Sequence, residues 1–256
     1  MALNPIAFTI MGFDIRWYGI LIAVGMLLAI LIIYIRAPRH DINPERTIDL
    51  ILIVIPLGII GARLYYVLSN WEFYQGDFIK IIDVRSGGLA FHGGIIVGVL
   101  VAVLLCRIWQ IRPLNLLDLT LPAVALAQSI GRWGNYFNQE AYGIPTDLPW
   151  AIPVDGVMVH PTFLYESIWC MLLFLFLSFI DGRRFFEGQV FLLYGILYSF
   201  ERFFVESLRI DSLMIGPYRT AQVVSLVVFV TFTIAYIIRS RKASAKKNMF
   251  INRRYL

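Results

Sequence analysis

Long apolar runs, each about the length of a membrane crossing, alternate with short polar stretches along most of this chain. A bilayer core takes about 20 apolar helical residues to span. On that measure seven spans are expected, at roughly 17–36, 48–68, 88–107, 114–133, 162–180, 188–206 and 219–238. Runs such as Leu21 to Ile35 and Val223 to Ile238 show no polar face at helical period, which a surface helix of a soluble α protein would need. Pro122 and the glycines within the spans are tolerable, because neighbouring helices can satisfy the freed backbone groups. The first run begins near Trp17 and has no small-x-small cleavage site leading into a polar region, so it is expected to remain as a span.

Composition agrees with the pattern. Hydrophobic residues make up 59% of the 256 residues and charged ones 15%, with a mean hydropathy of +0.74, far from an ordinary soluble domain. The expected fold is all-α: a polytopic integral membrane protein forming one domain, without internal repeats or low-complexity linkers. Cys106 and Cys170 both fall inside spans, where they read as small apolar fillers.

Fourteen of the 22 lysines and arginines fall on one side of a seven-span arrangement: Arg36, Arg39, Arg46, Arg107, Arg112, Arg183, Arg184, and seven in the tail from Arg239 to Arg254. The positive-inside rule makes that side the cytoplasm, with the N-terminus outside and the C-terminus inside. The basic tail, 239–256, reads as a topology determinant beside anionic lipid rather than a nucleic-acid arm. The outer side then receives 2–16, 69–87, the long connection 134–161, and 207–218.

The polar residues that are not topology signals gather towards that outer side. From Gln128 to Gly143, sixteen residues hold Arg132, Asn135, Asn138, Gln128, Gln139, Glu140 and three glycines, directly after an apolar span. Polar groups at that depth are costly unless they face protein or ligand. An arginine at a span end, followed by a Gly-Asn turn, presents a planar fork of donors to a phosphate. Snorkelling to the interface is the plainer alternative for Arg132, but it leaves the neighbouring amides and Glu140 unexplained.

The sixth span ends with Tyr198, Arg202, Glu206 and Arg209, whose spacing of four, four and three places them on one helix face. Such a stripe either binds an anion or forms an internal ion-pair network, with Arg202 and Glu206 as the obvious pair. Glu201 lies beside the stripe on another face, as a candidate partner for a different helix. The third span opens with Gly87-Gly88-Leu89-Ala90-Phe91-His92-Gly93-Gly94. His92 is suited to moving a proton near neutral pH, while Gly94 and Gly98 make a small-xxx-small packing seam. Arg63, within the second span, is either a charge partner or a second phosphate contact. Glu166, just inside the helix that His160-Pro161 opens, is a candidate brace for an arginine, and Asp118 reads as structural. Trp17-Tyr18 fits an aromatic belt.

No metal-ligand cluster, phosphate-binding glycine loop, nucleophile elbow or aspartate pair stands out. Several arginines, one histidine and a set of amides remain, an inventory suited to an anionic headgroup. A transporter or flippase of an anionic lipid is the rival reading, since buried arginines also mark permeation paths. Such folds often carry repeated halves, and none is visible here.

The stretch Gly131-Arg132-Trp133-Gly134-Asn135-Tyr136-Phe137-Asn138-Gln139-Glu140-Ala141-Tyr142-Gly143 resembles the signature of bacterial prolipoprotein diacylglyceryl transferases, close to G-R-x-G-N-[FY]-x-N-x-E-x-x-G. Trp17-Tyr18-Gly19, Gly88 to Gly94, His160-Pro161 with Tyr165-Glu166, and Arg202 to Glu206 with Arg209 extend the resemblance over most of the chain. It implies an inner-membrane enzyme, active towards the outer leaflet, that moves the diacylglyceryl group of phosphatidylglycerol to the lipobox cysteine thiol of a preprolipoprotein signal peptide. A thioether forms, glycerol 1-phosphate leaves, and no cofactor or metal takes part. It further implies Arg132 and Arg202 as essential positions, with His92 a candidate for accepting or relaying the thiol proton. Tyr18, Asn135, Asn138, Glu140, Gly143, Tyr198, Glu206 and Arg209 would bind substrate or brace the arginines, and Arg63 joins them as a candidate contact.

Overall fold

The structure is a computed structural model that describes residues 4–84 and 87–252, with side chains to residue 245. The end of the basic tail, including Arg253 and Arg254, lies outside the described residues. Among the described residues, nine α-helices carry the fold: α1 Trp17–Arg36, α2 Pro44–Ser69, α3 Trp71–Tyr74, α4 Phe78–Ile82, α5 Phe91–Ile108, α6 Pro113–Asn138, α7 Thr162–Asp181, α8 Gln189–Leu208 and α9 Thr220–Asn252. The chain is mostly helical, and among the described residues six helices (α1, α2, α5, α6, α7 and α9) are long and apolar enough to cross a bilayer. It is thus a polytopic membrane protein. The 20 residues of α8, also expected as a span, include Glu201, Arg202 and Glu206, which lower its apolar character.

Three short antiparallel hairpins, which the hydropathy pattern does not announce, occupy the connections: β1 Ile6–Ile10 with β2 Phe13–Arg16, β3 Ile152–Val154 with β4 Val157–Val159, and β5 Met214–Ile215 with β6 Tyr218–Arg219. Gly12 and Gly156 turn two of them at φ +82°, a conformation that glycine adopts without a Cβ penalty.

The chain divides into two compact units: Tyr34–Leu116, and Met1–Ile33 with Leu117–Leu256. The smaller unit is built on α2 packed along α5. A Cβ on Gly61 would lie 2.5 Å from Val97 Cβ, and one on Gly93 would lie 2.5 Å from the Gly61 carbonyl oxygen. Small residues therefore let the two backbones touch, which is how helices associate without a hydrophobic driving force between them. The expected Gly94 and Gly98 lie along this seam, where a Cβ would come 3.3 Å from the Gly58 carbonyl oxygen and 3.7 Å from Val54, and the tightest point is the Gly61–Gly93 crossing.

Arg63 has a role that neither sequence reading anticipated. Buried in α2, it donates from Nε to the Ile81 carbonyl (2.9 Å), from Nη1 to those of Gly87 (2.7 Å) and Gly88 (2.9 Å), and from Nη2 to that of Lys80. It thereby ties down the α4 segment and the approach to α5. Tyr74 covers the guanidinium, 5.1 Å from ring centroid to Cζ.

In the larger unit, α1 lies on the face of α6 that carries Gly131 and Gly134. The Tyr18 ring sits where a Gly134 side chain would be, and a Cβ on Gly131 would come within 3.1 Å of Ile22. Across α8, Gly195 accepts the Phe232 ring of α9 in the same way. Ala125, Leu173, Leu177 and Val190 form a buried apolar cluster where α6, α7 and α8 meet. Asp118 enters α8 from below: its carboxylate accepts the backbone N–H groups of Gly188 (2.7 Å) and Phe191 (2.9 Å). It satisfies orphan donors at a helix start, the structural role expected for it.

One expectation is corrected. The signature stretch is not a Gly-Asn turn after Trp133, since α6 continues through Gly134 and Asn135 to Asn138. The packing of Tyr18 against Gly134 offsets the poor helix propensity of glycine. The helix ends only where Gln139 and Ala141 take positive φ, at 51° and 57°.

If the Gly61–Gly93 crossing holds α2 to α5, Gly93→Val overpacks it. The expected loss is about 1–3 kcal/mol, read as a lowered thermal midpoint of the detergent-solubilised protein, with Gly98→Ala close to wild type.

Candidate active site

Two elements bring charge together in the larger unit: the C-terminal third of α6 and the end of α8, with α7 beside them. On α8, the four- and three-residue spacing places Tyr198, Arg202, Glu206 and Arg209 on one face, as the pattern requires. On α7, Glu166 falls one turn after the helix start and is almost wholly buried, its side chain 2% exposed. Its Oε1 accepts from Arg202 Nη1 at 2.7 Å and lies 3.1 Å from Arg132 Nη2. Two arginines from two helices thus converge on one carboxylate oxygen.

The remaining contacts differ between the arginines. Arg202 Nη2 also lies 2.6 Å from Glu206 Oε2, so Arg202 is bracketed by two carboxylates. Among the described residues, Arg132 has in addition only the Tyr198 hydroxyl, which accepts from Nη2 at 3.5 Å. Among the described residues, its Nε and Nη1 donate to no acceptor, and its side chain is 22% exposed. A buried carboxylate holds this guanidinium in place while part of its donor fork stays open. The second oxygen of Glu166 likewise has no hydrogen-bond partner among the described residues.

Tyr198 is itself positioned by stacking on Tyr194, with centroids 5.5 Å apart and planes 7° apart. The Tyr194 hydroxyl donates to Gln128 Oε1 at 2.8 Å, so the residue that opens the polar stretch 128–143 supports the ring under Arg132. Ser129 and Ser167 exchange hydrogen bonds with each other's carbonyls at 2.8 Å, fixing α6 against α7 in the turn just below.

The end of the signature stretch is fastened to the end of α8. Gly143 N–H donates to the His160 carbonyl (2.9 Å), and Ile144 N–H to that of Leu208 (2.8 Å). A Cβ on Gly143 would come within 2.7 Å of His160 Cβ, so only glycine lets the loop lie this close. Asn135 Nδ2 and Asn138 Nδ2 both donate to Glu140 Oε1, at 2.9 and 3.3 Å, closing the turn after α6 on itself.

Arg209 leans on Glu206 (4.0 Å) and forks onto Asp211, with Nε at 3.0 Å and Nη2 at 2.8 Å. Partial burial pushes the Asp211 carboxyl up, but the hydrogen bonds and charge of Arg209 outweigh it and leave the group below the usual carboxylate range.

The structure therefore gathers Arg132, Asn135, Asn138, Glu140, Gly143, Tyr198, Arg202, Glu206, Arg209 and Tyr18 within one unit. His92 and Arg63 belong to the other. There His92 stands exposed at the second position of α5, its ring 6.1 Å from that of Phe91. Glu201 does not pair with another helix as expected: it is 6% exposed, and neither carboxylate oxygen has a hydrogen-bond partner among the described residues.

Arg219 was not singled out from the sequence. Its Nη1 donates to the carbonyls of Glu206 and Arg209 (2.8 Å to the latter) and to Ser212 Oγ at 3.1 Å. A cation there satisfies orphan carbonyls and favours the negative end of the α8 dipole. The available signal was a basic residue in 207–218 and the helix start after it, a region expected to be poor in them.

Helices long and apolar enough to cross a bilayer, with an arginine pair braced by a buried carboxylate, define a polytopic membrane protein. The particular family follows from comparison: the chain belongs to the prolipoprotein diacylglyceryl transferases, its residues 5–238 matching the family described as "Prolipoprotein diacylglyceryl transferase". It is 47% identical over 236 residues to the phosphatidylglycerol–prolipoprotein diacylglyceryl transferase of Finegoldia magna, covering 92% of this chain and 95% of that one. The enzyme of the same name from Clostridioides difficile is 48% identical over 240 residues, with 94% and 97% covered. That of Bacillus mycoides is 40% identical over 265 residues, with 98% and 97% covered. Membership of a transferase family disfavours the transporter reading.

Glu166→Gln removes the charge that both arginines share and leaves two guanidiniums with one full carboxylate between them. Breaking a buried pair of this kind costs about 3–5 kcal/mol. The variant is expected to melt well below wild type in detergent and to lose activity, whereas Glu140→Gln, in an exposed turn, changes the melting point little.

Proposed function

We propose that this protein transfers the diacylglyceryl group of phosphatidylglycerol to the lipobox cysteine thiol of a preprolipoprotein, releasing glycerol 1-phosphate, at the outer leaflet of the bacterial cytoplasmic membrane. The observation that carries the reading is the sharing of Glu166 Oε1 between Arg132 and Arg202, which leaves Arg132 with open donors in a half-buried site.

The thiolate sulfur attacks the glycerol carbon that bears the phosphate. A C–S bond forms, the C–O bond breaks, and its electron pair leaves on the phosphate ester. Negative charge grows on that leaving group, and a fixed guanidinium in a dry site stabilises it more than mobile water does. Arg132 is assigned to the phosphate because part of its fork is open. Arg202, bracketed by Glu166 and Glu206, contributes its field and holds Glu166 in register. Tyr198, Glu206 and Arg209 brace the pair; Tyr18, Asn135, Asn138, Glu140 and Gly143 shape the outer turn of α6. Arg63 serves by fixing the entry to α5. His92 is assigned the thiol proton, since an imidazole can take it up near neutral pH.

For topology we take α8 as the seventh span, with its charged face turned towards α6 and α7. The Glu166–Arg202 and Trp169 Nε1 to Leu197 carbonyl (3.1 Å) contacts support that orientation. The excess of lysine and arginine on one side favours an outer N-terminus and a cytoplasmic C-terminus.

The purified protein is expected to add a diacylglyceryl mass to a synthetic lipobox peptide when phosphatidylglycerol is the only lipid donor, and not when phosphatidylcholine replaces it. No mass addition by well-folded protein in phosphatidylglycerol would sink the assignment. Arg132→Lys keeps the charge but loses the planar fork. Its kcat should fall on the order of 10²-fold, with the peptide KM little changed; wild-type turnover would remove Arg132 from the phosphate.

A further inference from the structure

One buried acid beside the arginine pair has no part in the chemistry above. Glu201 precedes Arg202 on α8 and shares its helix face with Leu197 and Val205, four residues to either side. It is 6% exposed, and among the described residues neither of its carboxylate oxygens has a hydrogen-bond partner. The neighbouring arginines do not turn to it. Arg132 pairs with Glu166, and Arg202 with Glu166 and Glu206.

The groups that face Glu201 come from three helices. Arg132 of α6, Glu166 and Cys170 of α7, and Arg202 of α8 itself lie within electrostatic reach. α9, which packs on α8 at Gly195, carries no titratable residue from Thr220 to Ala235. If every acid here were charged, Glu166, Glu206 and Glu201 would stand against Arg132 and Arg202, since Arg209 is forked onto Asp211. Three carboxylates against two guanidiniums leave one buried anion without a partner, which is strongly unfavourable.

Carboxylates crowded into one dry site relieve this by keeping a proton on one of them. Glu166 and Glu206 are held by arginines, so the proton falls to Glu201. A protonated carboxyl is also a donor, whereas an ionised one only accepts. The second oxygen of Glu166, which has no hydrogen-bond partner among the described residues, is an open acceptor in the same neighbourhood. The charge state of Glu201 bears on Arg132 as well. The open Nε and Nη1 donors of Arg132 would find a third carboxylate in an ionised Glu201, and find none in a neutral one.

We propose that Glu201 holds a proton at neutral pH and is a positioning residue: neutral, it leaves the open donors of Arg132 to the substrate phosphate, and ionised, it competes for them. The effect on substrate rests on the function proposed above, whereas the proton on Glu201 does not.

Infrared spectroscopy of the full-length protein in dodecyl maltoside, a detergent without carbonyl groups, reads the proton directly. Wild type at neutral pH should show a protonated-carboxyl stretch that moves on labelling with isotopic glutamate. The band should be absent from Glu201→Gln and from Glu201→Met, which is of similar size, so either variant suffices if the other does not fold. Raising the pH until the band is lost should weaken phosphatidylglycerol binding by wild type roughly tenfold, read as a smaller rise in thermal midpoint on adding that lipid. Glu201→Gln, neutral at every pH, should keep the full rise. A missing band, a band that persists in both variants, or a lipid response that falls equally in wild type and Glu201→Gln overturns the proposal. Neither readout requires turnover. Wild type that shows the band but no response to phosphatidylglycerol keeps the proton on Glu201 and overturns the functional reading instead.

Discussion

One carboxylate oxygen organises the centre of this protein. Glu166 Oε1 lies between guanidiniums from α6 and α8, in surroundings where its side chain is 2% exposed. A lone carboxylate in such a place would be prohibitively desolvated, and so would either arginine. Each makes the others tolerable, and together they fix the approach of three helices. Because two cations share one oxygen, the arrangement is under-supplied with acceptors on the Arg132 side. Under the proposed function a phosphate completes it, and the same three side chains then serve both the fold and the substrate.

The rest of the larger unit serves to keep that triangle in shape. Gln128 and Tyr194 hold Tyr198 beneath Arg132, the Ser129–Ser167 exchange sets α6 against α7, and Arg219 closes the end of α8. Glycines set the close approaches. Gly134 admits the Tyr18 ring, and Gly143 lets the long connection dock on Leu208 and His160. Glycine is therefore prominent in the signature stretch for packing reasons, while Arg132 among them is the residue proposed to meet phosphate. The smaller unit follows the same logic, with Gly61 and Gly93 joining α2 to α5 and Arg63 securing the segment that leads into His92.

Much of this was legible before any coordinates. The six spans found, the mostly helical class and the single-faced stripe on α8 follow from hydropathy and from a spacing of three and four. The family was legible in the motif from Gly131 to Gly143. Glu166 was recognisable as a candidate brace, but its two partners were not, since they lie 34 and 36 positions away along the chain. Arg63 offered two readings and has a third role, because the carbonyls it holds belong to a connection with no distinctive pattern. The turn expected after Trp133 is helix, since tertiary packing of Tyr18 overrides a weak local preference.

The sequence alone determined where the chain enters the bilayer and which residues share a helix face, because transfer free energy and helical periodicity are properties of neighbouring residues. Only the tertiary structure decided which charges meet. Ion pairs depend on how helices cross and on the few ångströms that glycine contacts allow, and neither is written in any single segment. The sharing of Glu166 by Arg132 and Arg202, and the second carboxylate that Arg202 takes in Glu206, are decisions of that kind.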